Sequence, residues 1–351
     1  MIKTRILICL ILALLVGCSA STPAPTNKVA ISFNWAYRAG DYVRGIPLAS
    51  GKAVYVGADD NTLHAVNVDT GKSLWQYETA DNITSSPVLF ENAIYFGSWD
   101  GNVYALDAGL GKLRWRYETG GWVTASPVIS NNILYAGSYD GFFYALATKD
   151  GNLMWRYRTD GRIAAGARVA GDLAFVGSSD NYLYAIDIKR GELAWRYHAG
   201  GDILATPAVA AGTVYVGSVD RKFYALNATT GQLNWTFQGG YAFESSPVVA
   251  DGVVYVGAND GRLYALRAQD GHPVWDYKAK GPMRSAPVVW GQLVFVGSDD
   301  GYLYGLDRQT GALVWSYRTG GAIVAGPTVA DGKLYVGSAD RRLHAFSLGE
   351  H

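Results

Sequence analysis

Few residues of this chain have the type and spacing to do chemistry. Asp202 and Glu244 stand singly among arginines, so no carboxylate cluster is laid out for calcium and no paired acid and base emerge. His198 and His272 have no second histidine or cysteine at ligand spacing. Cys9 and Cys18 are the only cysteines, so the chain beyond residue 18 has no disulfide, thiol nucleophile or thiolate ligand. One cation stands out. In Ala164-Ala165-Gly166-Ala167-Arg168-Val169, Ala167 takes a place that is proline at 47, 87, 127, 207, 247, 287 and 327. Arg168 takes a place filled elsewhere by Leu48, Val88, Val128, Ala208, Val248, Val288 and Thr328. Burying such a guanidinium unpaired would be costly.

The elements that carry these residues repeat every 40 positions. Tryptophan recurs at 35, 75, 115, 155, 195, 235, 275 and 315, and glycine at 57, 97, 137, 177, 217, 257, 297 and 337. Aspartate keeps the same step from Asp60 through Asp100, Asp140, Asp180, Asp220, Asp260 and Asp300 to Asp340. In one unit, Pro247 is followed by the runs VVA, VVYVGA, RLYALRA and HPVWDYKA, separated by turns at Asp251-Gly252, Asn259-Asp260-Gly261 and Asp270-Gly271. Four short strands per unit of about 40 residues are a propeller signature. The runs VYVG and LYAL lack polar alternation because each blade is sandwiched between two others. The expected fold is all-β: a single eight-bladed β-propeller of four-stranded antiparallel blades over residues 31–351. The last unit stops after its third strand, and its tryptophan strand lies at the other end of the chain, around Trp35. The first strand should therefore complete the last blade and remove the open edges.

Residues present in every unit are read as parts of the blade. The repeated aspartate sits in a turn where its carboxylate can accept backbone N–H bonds. The prolines belong to the innermost strand, whose free edge faces the channel. The tryptophans, with Tyr77, Tyr117 and Tyr157 after them, are read as packing between blades. His64 and His344 replace tyrosine at one repeat position and are read as core variants.

The formal net charge is zero, which gives no reason to expect a nucleic-acid-binding surface or a polybasic membrane patch. Lys3 and Arg5, the apolar run 6–16 and Leu15-Val16-Gly17-Cys18 together resemble a bacterial lipoprotein signal with its lipobox. That resemblance implies a signal peptide over 1–17, lipidation of Cys18, and a flexible tether over 18–30. It places the domain in the cell envelope, and Ser19 resembles the residue that permits sorting to the outer membrane.

The stretch ALDAGLGKLRW (Ala105 to Trp115), repeated as AIDIKRGELAW and GLDRQTGALVW, resembles the tryptophan-docking motif of PQQ-like propeller repeats. The resemblance covers residues 31–347. One branch of that repeat, the PQQ-dependent and calcium-dependent dehydrogenases, has larger chains with active-site insertions, and many carry a disulfide of adjacent cysteines; this chain has neither feature. With its lipobox and no insertions, the chain is more similar to the lipoprotein B subunit of the outer-membrane β-barrel assembly machinery. That resemblance implies a non-enzymatic, monomeric scaffold without cofactor or metal. It would be anchored on the periplasmic side of the outer membrane and bind an envelope protein through one propeller face. A PQQ quinoprotein, or a propeller that binds carbohydrate or peptide, remain the alternatives.

Function should lie where the units differ. The fourth-to-first connections and the second-to-third turns vary most, and in an up-and-down blade they open on one face. The candidate partner-binding residues there are Tyr42, Arg44, Trp99, Trp122, Tyr139, Arg162, Arg168, Asp202, Glu244 and Arg284, joined by Asn82, Asp59, Asn259 and Asp299. Trp99, Trp122 and Tyr139 come from adjacent units and are expected to form one aromatic patch, with arginines beside it as interface anchors. Arg168 is expected to turn toward the channel, where Asp202, Glu244 or a partner's carboxylate would pair with it.

Overall fold

The computed structural model describes residues 30–349, which form eight four-stranded antiparallel sheets. In blade 1 the strands are Leu48–Ser50, Ala53–Gly57, Thr62–Asn67 and Ser73–Glu78, and sheet order follows chain order. Blade 4 repeats the pattern as Arg168–Ala170, Leu173–Gly177, Tyr182–Asp187 and Glu192–His198. The three-residue first strands touch their counterparts in neighbouring blades and wall the channel. The second and third strands are buried along almost their whole length, which is why the sequence shows no polar alternation there. Only the outer fourth strand alternates between exposed and half-buried positions.

The ring closes as expected. Ile31–Arg38 pairs with Arg342–Leu348, running from Ile31 opposite Leu348 to Arg38 opposite Arg342. The Gly349 N–H adds a bond to the Ala30 carbonyl at 2.8 Å. One blade is thus sewn from both ends of the described chain, and opening the ring would expose two sheet edges.

Three repeated devices fasten each blade to the next. The first is the tryptophan. The Trp75 indole N–H donates to the Ala108 carbonyl of the next blade at 3.0 Å, and the Tyr55 hydroxyl donates to the same oxygen at 3.0 Å. Trp115 and Tyr95 repeat this at Thr148, and Trp235 and Tyr215 at Ala268. The indole lies flat on the turn glycine of its neighbour: a Cβ on Gly111, which has φ +67, would fall 2.6 Å from Trp75 Cε3.

The second device is the repeated aspartate. Asp140 accepts from the Phe142 N–H at 2.9 Å in its own turn, the Gly120 N–H at 2.7 Å and the Tyr144 hydroxyl at 2.6 Å. Gly120 lies just after the preceding blade's last strand, so each carboxylate bridges two blades. His64 and His344 fill the tyrosine place and bond Asp60 and Asp340 through Nε2, at 3.1 Å and 2.9 Å. They are core variants, as expected.

The third device is a plug. Val123, on the connection leading out of blade 2, packs so closely on Gly97 that a Cβ there would lie 2.3 Å from Val123 Cγ1. The glycine that ends every second strand therefore leaves room for the plug.

Candidate interaction face

The varying segments do share one face. The Trp99 N–H bonds the Asn82 carbonyl at 2.9 Å, the Tyr139 N–H bonds the Trp122 carbonyl at 2.8 Å, and the Ser179 N–H bonds the Arg162 carbonyl at 3.0 Å. Each second-to-third turn is thus clamped to the connection that enters its blade. The plugs below hold these connections in place, so side chains at their tips project from a rigid base.

Four candidates form one unbroken stack. Trp99 and Trp122 lie nearly parallel, with centroids 4.6 Å apart and 14° between planes. Tyr139 continues from Trp122 at 5.5 Å, and the Arg162 guanidinium sits over the Tyr139 ring at 5.1 Å. The Trp99 indole N–H is held by Thr84 Oγ1 at 2.8 Å, and Arg162 Nε donates to Ser179 Oγ at 3.2 Å. Trp122 is 45% exposed, so a wide aromatic surface faces solvent in a fixed orientation. Such stacked and cation-capped rings are held together by about 0.5–1.5 kcal/mol per pair beyond their burial.

The other candidates divide by charge pairing. Arg44 lies over Tyr42 at 5.4 Å and pairs with Asp59 at 2.6 Å, and Arg284 pairs with Asp299. Burial raises the Asp59 carboxyl above its ordinary range, and the Arg44 charge and hydrogen bond oppose that rise. Each of these two arginines is neutralised by the second-to-third turn clamped to its connection. Arg162 and Arg168 have no carboxylate within 4 Å among the described residues: Arg162 caps the aromatic stack with its charge unpaired, and Arg168 lies apart from it on the channel wall. Asp202 and Glu244 are half-buried on the next two connections and make no ion pair among the described residues. Tyr241, beside Glu244, is 61% exposed and was not among the sequence candidates, because its repeat place is otherwise glycine or aspartate and gave no aromatic pattern.

Arg168 reaches the channel, but its expected internal partner is corrected. Neither Asp202 nor Glu244 meets it, and Arg168 Nε instead donates to the Pro207 carbonyl at 3.4 Å. Both acids lie on connections at the face, whereas Arg168 opens the inner strand of the channel wall. The channel cavity, about 400 Å³, is lined by Pro47, Pro87, Pro127, Pro247 and Pro287, with small apolar and hydroxyl side chains between them. Arg168 is the one charged side chain among the described residues lining it. No group of three or more His, Cys, Asp or Glu converges anywhere among the described residues. Cys18 lies outside the described residues.

Eight blades fastened by docked tryptophans, an uninterrupted channel and one decorated face define a PQQ-type repeat propeller without inserted active-site domains. The family model described as outer membrane protein assembly factor BamB matches residues 32–89, 79–170, 160–289 and 280–350. The chain belongs to that family. A search of curated proteins returns no match. Among solved structures, BamB from Moraxella catarrhalis superposes with a TM-score of 0.79 at 22% identity, over 91% of this chain and 100% of that one. The computationally designed Ika8 protein gives 0.81 at 18% identity, over 90% and 99%. The quinohemoprotein alcohol dehydrogenase from Comamonas testosteroni gives 0.77 at 17% identity, over 90% of this chain and 76% of that one. At these identities the likenesses establish the fold.

Proposed function

We propose that this protein is a non-enzymatic scaffold, lipid-anchored through Cys18 on the periplasmic side of the outer membrane. It binds a polypeptide partner of the barrel assembly machinery on the face carrying Trp99, Trp122, Tyr139 and Arg162. The family assignment supports a role in outer-membrane assembly. The observation that carries the face is the continuous stack ending in a cation, fixed by hydrogen bonds at Trp99 and Arg162 yet exposed at Trp122. Rigid aromatic and arginine anchors lose little conformational freedom on binding and supply most of the energy at protein interfaces. Affinity capture from detergent-solubilised envelope should recover barrel assembly subunits, with a much lower yield for Trp122→Ala. Recovery of none by the parent protein overturns the reading. Incubation with PQQ and calcium should give no dye reduction with alcohols or sugars, and turnover would restore the quinoprotein alternative.

A further inference from the structure

The dipeptide Ala167-Arg168 departs from its repeats at both positions, and each departure adds a hydrogen-bond donor to the channel wall, beside Gly166, a glycine that recurs at Gly326. Around the ring, the Ile46 N–H bonds Ser86 Oγ at 3.0 Å, the Ser86 N–H bonds Ser126 Oγ at 2.9 Å, and the Thr206 N–H bonds Ser246 Oγ at 3.0 Å. The Ser126 N–H would take its acceptor from residue 166, which is glycine, and among the described residues it has none. Ala167 has the N–H that proline lacks in the other seven blades. Its neighbour Arg168 pairs with Phe175 in the blade, so the strand's alternation turns the Ala167 N–H toward the channel. Arg168 adds a guanidinium whose one bond here is long, 3.4 Å to the Pro207 carbonyl.

Beside the guanidinium the walls are apolar. Ala208, Val209, Pro247, Val248 and Val249 line a side recess with Arg168, and Val128 of the neighbouring blade also lines the main cavity. Arg168 is exposed to the channel, has no carboxylate partner among the described residues and stands in a lining with no other charge, so its guanidinium is free to make a charge-assisted hydrogen bond with an entering anion. The geometry points to a binding site for one carboxylate on an apolar stem, with Arg168 gripping the head group and the valine and proline walls taking the stem. The same chemistry is presented by a small organic acid and by the C-terminus of an apolar peptide.

Titration calorimetry of the full chain in nonionic detergent tests this with four probes: hexanoate, hexanol, the peptide Ala-Val-Pro-Val, and its C-terminal amide. At least one acid should bind at one site per chain, at least tenfold more tightly than its neutral counterpart. Arg168→Val, which installs the residue of four other blades, should keep the parent melting temperature and lose the difference between acid and neutral probe. Trp122→Ala should bind the acid as the parent does, which separates this site from the partner face. Binding of hexanoate alone identifies a free small acid, and binding of the peptide acid alone identifies a chain end. The inference is overturned if neither acid binds saturably, if acid and neutral probe bind equally, or if Arg168→Val retains the preference.

Discussion

Two tryptophans seven residues apart should fail in opposite ways. Trp115 is one of the repeated set, 8% exposed, with its N–H on the Thr148 carbonyl at 2.9 Å. Trp115→Ala removes a buried indole and leaves the cavity it filled, a change that costs about 3–5 kcal/mol in cores. The Thr148 carbonyl keeps its bond from the Tyr95 hydroxyl at 3.1 Å, so no orphaned acceptor adds to that figure. Trp122 is 45% exposed and touches mainly Trp99 and Tyr139. Truncating it withdraws roughly 100 Å² from contact, an upper bound near 2.5 kcal/mol at about 25 cal/mol per Å². Residual burial in the unfolded chain brings that to about 1–2 kcal/mol. Partner binding should show the reverse order. Trp122→Ala should weaken capture by about 30-fold, the effect of losing about 2 kcal/mol at an interface anchor, while folded Trp115→Ala captures as the parent does. Urea unfolding followed by far-ultraviolet circular dichroism gives the first comparison, and yield of barrel assembly subunits gives the second. Equal destabilisation by the two changes, or undiminished capture by Trp122→Ala, refutes the division into structural and functional tryptophans.

Arg44→Met strips the partner from the largely buried Asp59 carboxylate and should destabilise by about 1–3 kcal/mol, whereas Arg162→Met, which leaves no charge unpaired, should cost no more than about 1 kcal/mol in the same urea assay. Gly97→Ala drives a Cβ to 2.3 Å from Val123 Cγ1 and should cost at least about 1–3 kcal/mol, while Gly171→Ala meets nothing within 4 Å and pays only for its φ of +59. In alkali the tyrosine latches should hold: burial first, then the Asp260 hydrogen bond, push the Tyr264 hydroxyl up to about 12. Because that raised value exceeds the unfolded one near 10, its stabilisation is complete below about pH 10 and is lost as pH rises through about 12. Phenolate absorbance of Tyr264, Tyr104 and Tyr184, read as the difference between the parent and each Tyr→Phe variant, should therefore appear late and together with unfolding, and a reversible titration of these three near pH 10 in the folded protein would contradict it. On the acid side, burial alone would raise the Asp100 carboxyl, but hydrogen bonds from Tyr104, Asn102 and the Ala80 amide outweigh it and hold it low. That stabilisation is present above the ordinary carboxylate range and fades as pH falls through the depressed value, so Tyr104→Phe should flatten the acid limb of a melting-temperature profile.

The repeat made the fold legible because every blade solves one packing problem with the same residues. Trp75, Asp100 and Gly97 each recur eight times, and eight copies of a local pattern leave one architecture that buries them. Ring closure was equally readable, since a unit lacking its fourth strand and a spare strand at the start of the chain complete one another. The candidate face was only half readable. Differences between copies picked out segments that share one face, because these segments lie outside the docking contacts repeated in every blade. They could not rank its members: Arg44 and Arg162 stand among the same varying positions, yet Asp59 neutralises one and no carboxylate meets the other.

Sequence by itself determined the number of blades, the seam, the face that varies and the oddity at Arg168, because each is a matter of periodicity and of departures from it. Tertiary structure decided who meets whom. It stacked Trp99 on Trp122 and Tyr139 from consecutive blades, set Tyr241 in solvent, and kept Asp202 and Glu244 away from Arg168. The period places equivalent residues on equivalent sites, but a side chain's partner depends on loop height and rotamer across a blade boundary, and these are fixed only when the ring closes.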